Sequence, residues 1–171
     1  MPYRTRVYIA ADWDNEKAVV DKLREWNDSD YYVIDFTDAH DLTQANDSSL
    51  PCSIKSSLRE RLGRSKTFVL IVGDHTDSVT KGSCQHCRSY NSYSRNCARG
   101  HWVDYRSYID YECDYASDYD LKVVVIYNST YIRKNKCPEI LRNTGKHIPA
   151  YSYSNGVKKW NYSEIKNSIM D

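Results

Sequence analysis

The sequence lacks any long apolar stretch. Its N-terminal apolar run, residues 7–11, ends at Asp12, and no window approaches the roughly 20 apolar residues that a membrane-spanning helix requires. The N-terminus has only this short apolar run before the acidic residues begin, so we expect no secretion signal. We therefore expect a cytoplasmic protein with no membrane partner.

An excess of one charge is also missing. Lys and Arg number 24 against 23 Asp and Glu, which gives a net charge of +1. A protein that binds nucleic acid usually carries a clear basic excess, so we expect no nucleic-acid partner. With 171 residues, 40% of them hydrophobic, the chain can bury one core of ordinary size, and we expect a single domain over residues 1–171.

Cysteine, by contrast, is well represented, with six residues, and because we expect no export signal, disulfides are not favoured. Cys84-x2-Cys87-x9-Cys97-x3-His101 offers ligand types at spacings that a structural zinc ion could use. Polar loops with this composition also occur without metal. The sequence leaves zinc binding open, and the site that we predict below includes no metal ligand.

Apolar runs alternate with amphipathic segments along the chain. The runs predict strands at residues 6–11, 31–36, 67–72 and 123–127, and the amphipathic segments predict helices at 14–27, 51–63, 103–116 and 161–170. An irregular insertion that contains cysteines occupies about 74–100. This alternation predicts an α/β fold of the flavodoxin-like class, a three-layer sandwich around a central, mainly parallel sheet.

Ligands of such sheets bind beyond the carboxyl ends of the strands. In the predicted helix at 103–116, Tyr105, Ile109, Cys113 and Ala116 fall on one face, and Glu112 borders that face. We expect its carboxylate to lie among aromatic side chains at the rim of the core, where partial burial raises the pKa of a carboxyl group. On this pattern alone, however, such a glutamate is more often a surface charge.

The segment YIDYEC at residues 108–113, followed by the strand at 123–127, resembles the TIR-like family that includes the Thoeris antiphage TIR protein. The resemblance extends over about residues 6–128 and implies that Glu112 is the catalytic residue. Residues 101–106, HWVDYR, imitate the motif but place an arginine at the glutamate position. The distance to the following strand favours residues 108–113 over residues 101–106 as the family motif.

The resemblance also implies a substrate pocket. Its walls would be Ala11, Asp12 and Trp13 after the first strand and Asp38 after the second. The implied substrate is NAD+, and no cofactor is implied. Cleavage of the N-glycosidic bond would release nicotinamide and yield ADP-ribose or a cyclic isomer that signals to a downstream effector. A homo-oligomer is a further expectation.

Two alternatives remain at this stage. One is a receiver-like phospho-switch in which Asp12 and Asp14 bind Mg²⁺, Asp74 accepts the phosphoryl group, and Thr130 and Lys146 assist. The other is a TIR-type interaction module without enzymatic activity.

Overall fold

The computed structural model describes residues 6–32, 34 and 50–171. Of the predicted strand at 31–36, residues 31 and 32 form a turn and Ile34 is buried, while the remainder lies outside the described residues, as does Asp38. The described elements, in chain order, are β1 (Arg6–Ala10), α1 (Trp13–Asn27), α2 (Pro51–Gly63), β2 (Ser65–Val72), β3 (Tyr90–Asn91), β4 (Asn96–Cys97), α3 (Tyr108–Asp118), β5 (Lys122–Tyr127), β6 (Lys146–Pro149), β7 (Tyr151–Ser154), β8 (Val157–Trp160) and α4 (Tyr162–Met170).

A parallel sheet with the strand order β1-β2-β5-β6 forms the centre of the fold. The two inner strands are the most continuous apolar runs, as a parallel sheet with both faces covered requires. Helices α1 and α4 cover one face, and α2 and α3 cover the other. The predicted α/β, flavodoxin-like class is confirmed.

Helix α3 begins later than the sequence pattern predicts. The Ser107 hydroxyl accepts a hydrogen bond from the Asp110 backbone N–H at 3.0 Å, which caps the helix at this point. The predicted start near residue 103 is therefore wrong, and Tyr105 lies before the helix with 47% of its surface exposed. Ile109 and Cys113 face the core, as predicted.

The insertion at 74–100 is mostly irregular, apart from short 3-10 turns and the β3–β4 hairpin of two residue pairs. It packs over the start of α3. Gly82 has φ of +100°, and a Cβ atom built there would lie 2.5 Å from the Tyr108 ring, so only glycine fits this approach. The Tyr108 backbone N–H in turn bonds to the Lys81 carbonyl at 2.9 Å.

Strand β6 and the β7–β8 hairpin were not predicted. The hairpin turns at Asn155 and Gly156, both with positive φ, which is the turn chemistry of a tight two-residue hairpin. The Asn-Gly pair was thus a usable signal in the sequence. The hairpin leads directly into α4.

Candidate functional site

The carboxyl ends of β1, β2 and β5 meet at one edge of the sheet. There the buried carboxyl group of Glu16 contacts residues that follow β2 and β5. Glu16, in the first turn of α1, is only 3% exposed, and its Oε2 accepts a hydrogen bond from Asn128 Nδ2 at 2.6 Å. Asn128 directly follows β5. Gly73, directly after β2, lies against the same carboxylate, and a Cβ atom there would lie 1.5 Å from Glu16 Oε1.

Charged groups surround Glu16. Burial raises the pKa of its carboxyl group above the usual value, and the Asn128 hydrogen bond opposes this shift. Asp12 and Asp74 raise the pKa further, whereas Arg133, which forms an ion pair with Asp74, lowers it. In the sequence, Glu16 is recognisable only as an acidic residue in the first turn of a predicted helix. Its role depends on residues after two other strands, which a local pattern does not reveal.

The predicted pocket residues after β1 have structural partners. Ala11 is buried in the cluster between the sheet and helices α1 and α4. Asp12 caps α1 and accepts a hydrogen bond from Asn15 Nδ2 at 2.7 Å. The Arg24 guanidinium lies 4.9 Å from the centroid of the Trp13 ring.

Glu112 lies on the other face of the sheet from Ala11, among the residues that pack α3 onto β1 and β2. It is 3% exposed, so it is more deeply buried than the predicted position at the rim of the core. The hydroxyl group of Tyr8, a fully buried residue of β1, donates a hydrogen bond to Glu112 Oε1. The structure therefore does not bring Glu112 and Ala11 together.

Burial raises the pKa of Glu112 to about 8. The Tyr8 hydrogen bond and the positive charge of Arg61 both act in the opposite direction, but the loss of water dominates. At neutral pH the carboxyl group is mostly protonated. A small change in pH or in its surroundings therefore changes its charge.

Comparison with known proteins shows that part of the chain is similar to a known family. Residues 8–81 match the family of the Thoeris protein ThsB, TIR-like domain. The match covers β1 to β2 and the beginning of the insertion, and it confirms the resemblance to this TIR-like family. Helix α3, which carries Glu112, lies beyond the matched residues. No curated protein matches the chain.

The positions of the phospho-switch residues argue against the receiver-like alternative. Lys146 is the first residue of β6, so it lies at the amino edge of the sheet, where its Nζ is 3.8 Å from Glu164. Asp74 follows β2 at the opposite, carboxyl edge. A phosphoryl group on Asp74 therefore could not contact Lys146.

The six cysteines are free thiols, and four of them line one small cavity beneath the insertion. Within residues 6–32, 34 and 50–171, no three His, Cys, Asp or Glu side chains already converge as metal ligands. None of the described helices is long and apolar enough to cross a membrane.

Proposed function

We propose that this chain is a TIR-type enzyme of antiphage defence that cleaves the N-glycosidic bond of NAD+, with Glu112 as its catalytic residue. The observation that carries the proposal is the Glu112 carboxyl group, held away from water on α3 with a pKa of about 8. The TIR-like match of residues 8–81 supports the assignment to this class of protein.

The reaction breaks the bond between the ribose C1′ atom and the nicotinamide nitrogen. The bonding electrons leave with nicotinamide, which becomes neutral, and the ribose develops positive charge. An ionised carboxylate in a site of low polarity stabilises such charge strongly. Water then attacks C1′ and loses a proton to give ADP-ribose, or a hydroxyl group of the same molecule attacks to give a cyclic isomer that could signal to an effector.

Burial sets two conditions on this chemistry. Since the pKa of Glu112 is about 8, the active, ionised form becomes abundant only as the pH approaches that value. The Tyr8 hydroxyl assists, because its hydrogen bond favours the ionised form. Moreover, with Glu112 3% exposed, NAD+ can reach it only after neighbouring side chains move, as self-association or a trigger would allow.

We also propose which residues bind NAD+. Asp12 and Trp13, at the carboxyl edge beyond β1, would contact the nucleotide together with Asp38, whereas Ala11, buried on the other face of the sheet from Glu112, is not proposed as a contact. NAD+ is the proposed partner, and a homo-oligomer is the proposed active assembly.

The test compares Glu112→Gln with Glu139→Gln, a change at an exposed glutamate. Nicotinamide release from NAD+ is followed by chromatography over a wide range of protein concentrations. We expect Glu112→Gln to lose at least about 100-fold in turnover, as expected when a charge-stabilising group is removed, and Glu139→Gln to lose nothing. Equal turnover in both variants would contradict the assignment.

The burial of Glu112 also favours a second candidate, a TIR-type interaction module in which the Tyr8–Glu112 hydrogen bond is purely structural. This candidate predicts that the natural chain neither releases nicotinamide at any concentration nor binds NAD+ in a calorimetric titration. Both results together would replace the enzymatic proposal.

A further inference from the structure

We propose that Cys52, Cys84, Cys87 and Cys97 bind one zinc ion, which fastens the insertion to the start of α2. All four line one cavity of about 10 Å³, which we call the cysteine cavity. A cavity of this size holds about one water-sized guest, so its ligand is a single ion rather than an organic molecule. This site is independent of NAD+ cleavage.

The four thiols come from separate parts of the chain. Cys52 is the second residue of α2, Cys84 and Cys87 lie at either end of a short turn, and Cys97 ends the β4 strand. The sequence spacing indicated the last three, but only the fold adds Cys52. Four thiolates are a common ligand set for structural zinc.

Backbone N–H groups already point at two of the sulfur atoms. The Asp104 N–H donates to Cys84 Sγ at 3.3 Å, and the Ser89 N–H donates to Cys87 Sγ at 3.5 Å. Such bonds stabilise negative charge on sulfur, and the thiolate is the form that binds metal.

The electrostatic surroundings also suit an anionic cluster, since four thiolates and one Zn²⁺ carry a net charge of −2. The buried ammonium group of Lys55, which forms an ion pair with Asp104 at 3.4 Å, also interacts favourably with Cys84. Cys52 lies at the α2 N-terminus, where Leu50 provides no side-chain cap and the helix dipole favours negative charge.

The thiols do not yet converge on one point, but this does not exclude the site. Each cysteine has one side-chain torsion with three staggered positions, and rotation about these torsions is the movement that we propose brings the sulfur atoms together. His101 also lines the cavity but is exposed, and the four thiols complete a tetrahedral set without it. Zinc would supply the stability that the two-residue β3–β4 hairpin lacks.

The first experiment measures zinc in the full chain, produced in zinc-supplemented medium and purified without chelators or a histidine tag. We expect about one equivalent in the natural chain and in the control Cys113→Ala, which changes a buried thiol of the core. Cys52→Ser and Cys84→Ser should lose most of it. Less than about a tenth of an equivalent in the natural chain would overturn the proposal.

A second measurement does not depend on the folding of any variant. Titration of the reduced natural chain with Co²⁺ should produce a thiolate-to-cobalt charge-transfer band and the strong visible bands of tetrahedral coordination. His101→Ala should give the same spectrum. Loss of the spectrum in His101→Ala, absence of the band in the natural chain, or a disulfide among the four cysteines in protein freshly prepared under reducing conditions would each overturn the four-thiolate site.

Discussion

Glu16 and Glu112 are both 3% exposed, and burial raises the pKa of both carboxyl groups, yet their surroundings differ. Glu16 lies at the polar carboxyl edge of the sheet, where it accepts a hydrogen bond from the Asn128 amide and has Arg133 nearby. Glu112 lies between α3 and β1 in a largely apolar cluster, where it accepts a hydrogen bond from the Tyr8 hydroxyl.

This difference separates a structural carboxylate from one whose charge is easily changed. At Glu16 the Asn128 amide and, more weakly, Arg133 oppose the effect of burial, and the carboxyl group contacts residues after β2 and β5, but burial still raises its pKa. Burial is the largest influence on the pKa at both groups, and at Glu112 it raises the pKa to about 8, so this carboxyl group changes charge near that pH. We therefore regard Glu16 as a structural residue that holds the ends of the strands together, and Glu112 as the candidate catalytic residue.

The largest expected effect concerns stability and pH at Glu112. Its pKa is raised in the folded protein, so its contribution to stability is fully present below the unfolded value of 4.5 and is lost as the pH rises through about 8. Relative to Glu112→Gln, the natural chain should lose on the order of 3–5 kcal/mol of unfolding free energy between pH 5 and pH 8.5.

Urea denaturation of the two proteins at several pH values measures this difference. The pH-dependent contributions to stability of groups that both proteins share, including Glu16, cancel in the comparison. A difference in stability that stays constant over this pH range would show that Glu112 is as ionised as a surface glutamate.

A smaller effect is expected at the carboxyl edge. Gly73→Ala should cost about 1–3 kcal/mol, because the new methyl group displaces the Glu16 carboxylate from the Asn128 amide. Gly156→Ala serves as a control for added volume, since a methyl group at this turn meets nothing within 4 Å, although its positive φ of 75° carries a cost of its own. Thermal unfolding measures the stability cost of each substitution.

The double variant Gly73→Ala/Glu16→Ala sharpens this prediction. Its cost should be less than the sum of the two single costs, because the methyl group no longer displaces a carboxylate. Additive costs would show that Gly73 is required for another reason than its contact with Glu16.

The smallest effect is expected for Tyr8→Phe. Removal of the hydroxyl raises the pKa of Glu112 further, because the Tyr8 hydrogen bond lowers it. We expect a cost of about 1 kcal/mol at pH 6 and about 2 kcal/mol at pH 9, since hydrogen bonds to charged groups are stronger. Tyr153→Phe, at an exposed tyrosine, should cost little at either pH. An identical cost of Tyr8→Phe at both pH values would contradict the account.

Much of the fold could be predicted from local pattern. The apolar runs of β1, β2 and β5 are continuous enough to identify buried strands. Strand β6 was missed because, within KHIP, only Ile148 is fully buried. The start of α3 was placed too early because Tyr105 continues the apolar period, although Ser107 with Asp110 three residues later was the stronger signal.

The candidate site was less predictable, because long-range contacts define it. Glu16 and Asn128 are 112 residues apart in the sequence, and no local pattern joins them to Gly73. Cys52 likewise lines the same cavity as the other cysteines only because the fold brings distant parts of the chain together. Glu112 was identified only through its motif, and its burial depends on the packing of α3 against β1.

The most direct test of the central claim is the pH dependence of kcat/KM for NAD+ cleavage in the natural chain and in Glu112→Gln. We predict that the natural chain shows a limb rising with pH and an apparent pKa of about 8, because the ionised carboxylate is the active form. Glu112→Gln should be at least about 100-fold slower and should lack that limb. A Glu112→Gln variant with the rate and pH profile of the natural chain would contradict the assignment of Glu112.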